Sequence, residues 1–325
     1  MVRALLFACA LTVWSALGAS AQALSINSPG TYTLTRDYSH DMTVVQINVS
    51  DVVLNLNGHT LRCTSANSAT ASPFGIAMAS QARITVRNGA ITGCFFGISG
   101  GYADSYTLED LDLSGNTYIG ANLGYGHGHI VRRVTCRNIG GYTAEAYAIC
   151  INGIGVNGVV EDSTFENLYK QAGATGIGEG VGVVIDASAT GVQLRRNTLR
   201  NAEIRSDTIG FWSAVGSTTT MANNTITNFK LAVWGFGLTM TGNDIELSVD
   251  TPNSSGIIAR SGTATSNRLC GFSTPISGGI IASDNTIGAA GSCGTALAST
   301  ATSGPTSCAA TKRRSRPACA SATSR

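Results

Sequence analysis

Apolar residues recur along this chain in short alternating runs and do not follow a helical period. Five segments share an Asn-x-Ile/Leu pattern, and their asparagines lie 27, 19, 24 and 18 residues apart at Asn197, Asn224, Asn243, Asn267 and Asn285. Repeats of about 20 to 25 residues with strand-like alternation are typical of solenoids, in which each unit buries its apolar face by stacking on the next. The pattern predicts an all-β, right-handed parallel β-helix.

The repeated asparagines have a structural explanation in such a fold. Equivalent residues of stacked coils lie about 4.8 Å apart. Asparagine tolerates left-handed backbone conformations, and its amide can donate to one neighbouring coil while accepting from the other. We therefore expect an asparagine ladder along one turn. A leucine-rich repeat lacks support because the Leu-x-x-Leu-x-Leu frame is missing, and a β-sandwich would not explain the repeated asparagine.

A second predicted strand in each coil carries a Gly/Ala residue followed by an apolar one, as in Gly210-Phe211 and Ala232-Val233. The apolar residue should point inward, so the next residue should point outward. Trp212 and Trp234 occupy this outward position 22 residues apart. Together they are predicted to form a flat platform on which sugar rings stack. The alternative is that a loop or the C-terminal tail covers them.

Polar residues near the same strand are the candidate substrate-binding and catalytic residues. Asn152 and Arg260 are predicted to contact substrate with the tryptophans. Two insertions, at residues 168–180 and 201–208, would form the walls of a cleft. The predicted catalytic set comprises carboxylates and the cations that would neutralise a uronate, namely Asp186, Glu179, Glu203, Arg205 and Lys170. The alternative is a solvated surface with incidental ion pairs.

The two ends differ in character from the remainder of the 325-residue chain. Residues 1–21 are typical of a signal peptide, with Arg3, an apolar run and a small-residue cleavage site before Gln22. Residues 22–294 are predicted to form the β-helix domain, and 295–325 a disordered low-complexity tail. The expected location is therefore secreted or periplasmic, with no membrane span.

The charge of the chain limits its binding partners, and its cysteines are candidates for disulfides. The formal net charge is +2, but Arg3 and five basic residues of the tail contribute six positive charges, so the predicted domain is net negative. A nucleic-acid partner is not expected, because such proteins present a basic face. Disulfides are permitted in an exported chain, and the spacing makes Cys63 with Cys94 and Cys270 with Cys293 the candidate pairs.

A family resemblance adds to this interpretation. The segment from Ser28 to Leu34, followed by Leu54-Asn-Leu-Asn-Gly-His-Thr60, resembles the N-terminal part of bacterial right-handed parallel β-helix repeat proteins of the pectin-lyase-like superfamily. Members often have Asp at the position of Asn55. The resemblance covers the N-terminal cap closely and the later coils only as a repeat. It implies fold and export, but no activity.

Enzyme motifs of that superfamily are incomplete in this chain. Gly126-His127-Gly128 matches a polygalacturonase motif, but the accompanying Asn-Thr-Asp, Asp-Asp and Arg-Ile-Lys motifs are missing, so His127 and His129 are interpreted as residues of a glycine-rich loop. The prediction is a monomeric protein that binds, and as a lyase or hydrolase cleaves, an extracellular polysaccharide, with an acidic one favoured. The alternatives are a non-catalytic adhesion solenoid and a metal-handling scaffold. No cofactor is expected, except calcium if the protein is a lyase.

Overall fold

The computed structural model describes residues 23–66, 72–140, 148–168 and 180–292. These residues contain 24 β-strands and no helix. The strands are β1 (Leu24–Ile26), β2 (Gly30–Thr33), β3 (Tyr38–His40), β4 (Val45–Ile47), β5 (Val52–Asn55), β6 (Thr60–Cys63), β7 (Phe74–Ala77), β8 (Ile84–Thr92), β9 (Phe96–Ser99), β10 (Thr107–Asp112), β11 (Ile119–Asn122), β12 (Ile130–Arg137), β13 (Ala148–Ile154), β14 (Val159–Glu161), β15 (Thr164–Glu166), β16 (Gly180–Ile185), β17 (Val192–Arg195), β18 (Thr198–Ser213), β19 (Thr219–Ala222), β20 (Thr225–Gly235), β21 (Leu238–Thr241), β22 (Asp244–Thr265), β23 (Arg268–Ser283) and β24 (Thr286–Gly288).

The strands pair in parallel between successive coils, and each coil contributes one segment to each of three sheets. Sheet 1 begins with β1, β4 and β7, sheet 2 with β2, β5 and the start of β8, and sheet 3 with β3, β6 and the end of β8. Later strands such as β18 and β22 run through more than one sheet. The chain is the predicted right-handed parallel β-helix, the hand that parallel strand connections adopt.

The core is a set of apolar rows along the axis. On sheet 2, one row of fully buried residues runs through consecutive coils: Leu54, Val86, Leu108, Val131, Val160, Leu194, Met221 and Met240. Burying each such side chain contributes about 1.5–3 kcal/mol. Because the row needs one inward residue per coil, it holds the coils in register.

The five repeated asparagines lie in one buried row at the corner between sheets 2 and 3. The Nδ2 of Asn197 donates to Oδ1 of Asn224 at 3.0 Å, and the same contact links each asparagine to the next at 2.9, 2.8 and 3.0 Å as far as Asn285. The preceding residue adopts a left-handed conformation, with φ of 55° at Arg196 and 56° at Asn223. This turn points the asparagine inward and its predecessor outward.

Charged residues cover the outer side of the same corner. Glu109, Arg132, Glu161 and Arg195 alternate in register along four coils. The carboxylates lie beneath the guanidiniums, since the Glu109 and Glu161 side chains are 11% and 14% exposed whereas both arginines are 40% exposed. The opposite charges on neighbouring coils favour the observed stacking register.

Disulfides link Cys63 to Cys94 and Cys136 to Cys150. The first is a predicted pair, and the second was not anticipated from the sequence. Cys270 is also disulfide-bonded, and its predicted partner Cys293 lies outside the described residues. The predicted signal peptide and tail lie outside them as well. Within the described ranges, no helix suited to crossing a membrane is found.

Candidate functional site

The outward face of sheet 1 carries a column that combines amides and aromatic rings. Successive coils place Asn122, Asn152, Val184, Trp212 and Trp234 in register, and we call these five residues the outer column. Asn152 and Trp212 share the column because each follows an inward residue of its strand. The structure thus brings three predicted contact residues, Asn152 and the two tryptophans, onto one surface.

The two indoles do not form the predicted flat platform. Their ring centroids lie 5.8 Å apart, but the planes meet at 65°, so the rings pack edge to face. This geometry follows from the aromatic quadrupole, which favours an edge against a face over a sandwich. Both rings are half-buried against Ile209 and neighbouring apolar residues of the face. The Nε1 of Trp212 is inaccessible and has no hydrogen-bond partner within the described part of the chain.

Arg260 lies at one end of this aromatic surface. The Phe236 ring packs edge-on against Trp234 at 5.8 Å, and the guanidinium carbon of Arg260 lies 6.0 Å from the Phe236 ring centroid. That distance is at the limit of a cation–π contact. Arg260 is exposed, so its donors remain directed to solvent beside the rings.

Among the described members of the predicted catalytic set, Glu203 and Arg205 lie apart from Asp186. Glu203 and Arg205 form an exposed ion pair at 3.3 Å before the sheet 1 segment of β18, whereas Asp186 follows the sheet 1 strand β16 on its other side. The width of the sheet separates them by roughly 15 Å. A glycosidase needs its two carboxyl groups about 5–10 Å apart. Asp186 and Glu203 thus lie on opposite sides of sheet 1, while Lys170 and Glu179 lie outside the described residues, so the catalytic role of this set stays a prediction.

The described residues hold no group of three or more His, Cys, Asp or Glu side chains arranged for a metal ion.

A different cluster lies where sheet 1 turns into sheet 2. Tyr102 and Tyr125 occupy equivalent positions on adjacent coils, and the Tyr102 amide donates to the Gly124 carbonyl at 2.9 Å. Their rings are stacked, with centroids 5.6 Å apart and planes inclined by 16°. The residues are 77% and 63% exposed. Solvent-exposed stacked rings offer apolar surface together with hydroxyl groups, the combination used to bind amphipathic ligands.

Asp186 belongs to the same turn. Its Oδ2 accepts a 2.7 Å hydrogen bond from the backbone amide of Tyr125, 61 residues earlier. The side chain reaches this amide across Gly153, where an added Cβ would lie 2.4 Å from the Gly124 backbone and 3.4 Å from Oδ1 of Asp186. Burial raises the pKa of Asp186, and the Tyr125 amide only partly opposes this effect. No arginine or lysine of the described chain forms an ion pair with it.

His127 and Asp104 complete the turn. The Asp104 Oδ1 accepts hydrogen bonds from the His127 amide at 2.8 Å and lies 2.9 Å from Nδ1, and these contacts lower the pKa of the Asp104 carboxyl. We call Tyr102, Asp104, Tyr125, His127 and Asp186 the aromatic corner. It combines two rings, two carboxylates and one imidazole on an accessible edge beside the outer column.

His129 supports this corner from inside. It is fully buried and stacks on Tyr106, with ring centroids 5.0 Å apart, and its Nδ1 accepts from the Tyr106 amide at 3.3 Å. Burial lowers the pKa of His129 to about 4, so the ring is neutral at pH 7 and its hydrogen is on Nε2. Within the described chain this Nε2 has no partner, and an added Cβ at Gly126 would lie 2.6 Å from it.

Sequence reasoning missed the aromatic corner. The alternation Gly124-Tyr125-Gly126-His127-Gly128 was its visible signal, because glycines on both sides free the backbone that presents the tyrosine and the histidine. The motif was interpreted only as a glycine-rich loop. The contact with Asp186 had no signal, since it depends on which coils lie next to one another.

Comparisons with known proteins add a likeness of fold. No protein-family profile matches the chain, and no curated protein matches it. Among solved structures, a mutant tailspike protein of E. coli bacteriophage HK620 in complex with a pentasaccharide is 11% identical, with a TM-score of 0.48 over 81% of this chain and 58% of that one. An alginate lyase from Paenibacillus is 15% identical, with a TM-score of 0.37 over 78% of this chain and 99% of that one.

A third structure, the surface protein and adhesin PfbA of Streptococcus pneumoniae, is 9% identical, with a TM-score of 0.30 over 82% of this chain and 90% of that one. This chain spans about three-fifths of the two HK620 tailspike chains, 58% and 60%. At such identities the likeness concerns the course of the backbone and not the side chains. The parallel strand pairing itself places the chain among parallel β-helix folds.

Proposed function

We propose that this protein is exported and binds an extracellular polysaccharide along the outer column and the aromatic corner. The observation that carries the proposal is the exposed Tyr102–Tyr125 stack beside the half-buried carboxyl of Asp186. Sugar rings combine apolar C–H faces with hydroxyl donors, so they need aromatic surface and hydrogen-bond acceptors side by side. The corner supplies both.

The length of the surface suits a polymer. From the coil of Tyr102 to the coil of Trp234 there are five coil steps, which amount to roughly 24 Å along the axis. The first two positions of the outer column are amides, and Nδ2 of Asn152 donates to Oδ1 of Asn122 at 2.8 Å. The remaining amide groups of this pair can bond to sugar hydroxyls between the tyrosine and tryptophan ends.

Export is supported by the disulfides. Cys63–Cys94 and Cys136–Cys150 are of the kind that persists in oxidising compartments. The predicted signal peptide points the same way. We therefore propose that the protein acts in the periplasm or outside the cell.

Cleavage of the bound glycan is the second candidate function. Asp186 favours it, because a carboxyl whose pKa is raised by burial keeps its proton to a higher pH than a free carboxyl, as a general acid requires. A hydrolase would need a second carboxyl within about 10 Å, and the other carboxyl of the aromatic corner, Asp104, is held in hydrogen bonds with His127. Binding without cleavage is therefore the function that the described residues support best.

Affinity electrophoresis through gels containing a panel of neutral, basic and acidic polysaccharides tests the proposal. At least one polymer should retard the protein, and Tyr125→Ala should weaken this retardation at least ~10-fold because half of the stacked pair is lost. Tyr38→Ala, on sheet 3, is the matched control and should behave as wild type. The proposal fails if no polymer retards the protein, or if both variants lose binding equally.

The same panel, analysed for new reducing ends and for unsaturated products, separates the two candidates. Products that depend on Asp186 would establish cleavage. Retardation without products would leave a binding module.

A further inference from the structure

Asp186 is an exception in the charge arrangement of this chain. Among the described residues, the carboxylates of Glu109, Glu161 and Glu166 are also shielded from solvent, with side chains 11%, 14% and 13% exposed. Each accepts a 2.7 Å hydrogen bond from an arginine on a neighbouring coil. Asp186 is also half-buried, yet among the described residues its carboxylate accepts a hydrogen bond only from the Tyr125 amide. Partly buried carboxylates ordinarily require a paired cation, and this one has none from the described chain.

The surroundings of Asp186 make an anionic ligand unfavourable. The other carboxyl of the corner, Asp104, contacts only His127, which carries a positive charge only when protonated. The arginine rows lie on the corner between sheets 2 and 3. Of the described arginines that border the sheet 1 to sheet 2 turn, Arg83 is paired with Asp51, and Arg260 lies three coil steps from Asp186, roughly 14 Å along the axis. A uronate or sulfate at the aromatic corner would therefore add a like charge in a partly desolvated place, without a cation to offset it.

The two tyrosines also favour a positively charged ligand. Cations are attracted to the faces of aromatic rings, and an ammonium group can at the same time donate charge-assisted hydrogen bonds to a carboxylate. Tyr125 presents its ring to solvent and its backbone amide to Asp186, so both kinds of group belong to one short turn. An amino group on a sugar ring stacked there would lie near both.

We propose that the aromatic corner binds a sugar that carries a free, protonated amino group, which supplies the counter-charge that Asp186 lacks among the described residues. This inference rests on the glycan binding proposed above and names its substrate class. It replaces the acidic glycan favoured by the sequence with a basic one of the glucosamine type. The Tyr102–Tyr125 stack packs against the sugar ring, and the Asp186 carboxylate accepts from the ammonium group.

Isothermal titration with two matched oligosaccharides tests the proposal. Hexamers of glucosamine and of N-acetylglucosamine differ only in whether the amino group is free. At about pH 6, where a sugar amine is protonated, the glucosamine hexamer should bind at least ~10-fold more tightly. A hexamer of galacturonic acid should bind most weakly of the three.

Asp186→Asn removes the negative charge of the side chain and keeps its size and shape. The amide oxygen of asparagine can still accept from the Tyr125 amide, so the turn keeps its hydrogen bond. The variant should bring the affinity ratio of the two hexamers close to one while leaving the affinity for the N-acetylated hexamer unchanged. Asp112→Asn, an exposed carboxyl of sheet 3, is the matched control and should preserve the ratio.

The outcomes are distinguishable. Equal or tighter binding of the N-acetylated hexamer to the wild-type protein refutes the amine preference, and so does a preference that survives Asp186→Asn. If the N-acetylated hexamer binds in a Tyr125-dependent way without any advantage for the free amine, the glycan-binding proposal stands and only this inference falls. If no hexamer and no polymer of the panel binds, both fall.

Discussion

Removing one asparagine from the middle of the buried row tests what holds the coils together. Asn243 is 1% exposed. Its Oδ1 accepts from the backbone amide of Asn224 at 3.0 Å and from Nδ2 of Asn224 at 2.9 Å. Its Nδ2 donates to Oδ1 of Asn267 at 2.8 Å and to the Met221 carbonyl at 3.0 Å. The side chain thus connects three coils.

Asn243→Ala should cost about 3 kcal/mol of unfolding free energy. Two buried donors of Asn224 lose their acceptor, and each unsatisfied buried group costs about 1–3 kcal/mol. The cost lies toward the lower end of that range because Nδ2 of Asn224 keeps its 2.9 Å bond to the Leu194 carbonyl. Asn267 keeps a donor in the Asn243 amide. A loss of 3 kcal/mol is large against a typical total of 5–15 kcal/mol.

Urea unfolding followed by far-UV circular dichroism measures the cost, with two comparison variants. Asn285→Ala, at the 7% exposed end of the row, should cost about 1–2 kcal/mol because water can replace the lost acceptor there. Asn223→Gly, an exposed neighbour with a φ of 56°, should cost less than about 0.5 kcal/mol because glycine adopts that conformation readily. If Asn243→Ala costs no more than Asn223→Gly, the row does not stabilise the fold in the manner argued.

Three further predictions concern stability. The pKa of His129 is lowered to about 4 in the folded state, so as the pH falls below about 6.5 the unfolded chain takes up a proton and the folded chain does not. The free energy of unfolding should therefore drop by roughly 3 kcal/mol between pH 6.5 and pH 4. Urea unfolding at each pH measures this dependence, and His129→Asn should flatten it. Glu109→Gln should lower the free energy of unfolding by about 1–3 kcal/mol because it weakens a partly buried arginine contact. The exposed Glu203→Gln should lower it by less than about 1 kcal/mol. Urea unfolding measures both, and equal costs would contradict the argument. Replacing Cys136 and Cys150 with serine should lower stability by about 2–4 kcal/mol, which thermal unfolding of the variant and the wild type would detect.

The fold was predictable because its determinants are local and repeated. Inward apolar residues and Asn-x-Ile/Leu segments recur once per coil, and each occurrence constrains the same geometry. The row from Asn197 to Asn285 needs only that equivalent residues stack, which any winding of this period provides. The charge alternation of Glu109 and Arg132 was also present in the sequence, but their pairing depends on the exact coil length.

The site was less predictable because its contacts depend on orientation and on coil adjacency. The sequence placed Trp212 and Trp234 in equivalent positions, but it does not determine the 65° angle between the rings. The Cys136–Cys150 bridge was missed because the candidate pairs were sought on adjacent coils, whereas it joins the sheet 3 segment of β12 to the next strand, β13. The hydrogen bond from Tyr125 to Asp186 crosses a glycine, and no local pattern encodes it.

The distribution of charge separates stability from binding. On the corner between sheets 2 and 3, each buried carboxylate contacts an arginine of a neighbouring coil, so its ionic partner is part of the fold. On the aromatic corner, the half-buried Asp186 has no such partner among the described residues, and the proposed ligand supplies its counter-charge. Substitutions should therefore divide into two classes: Glu109→Gln should lower the unfolding free energy and leave glycan affinity unchanged, whereas Asp186→Asn should alter ligand preference and leave the unfolding free energy nearly unchanged. Since a solenoid exposes each sheet along its whole length, the two functions can occupy different faces of the same coils. If both variants shifted stability and affinity together, this separation would be wrong, and Asp186 would be one more structural carboxylate.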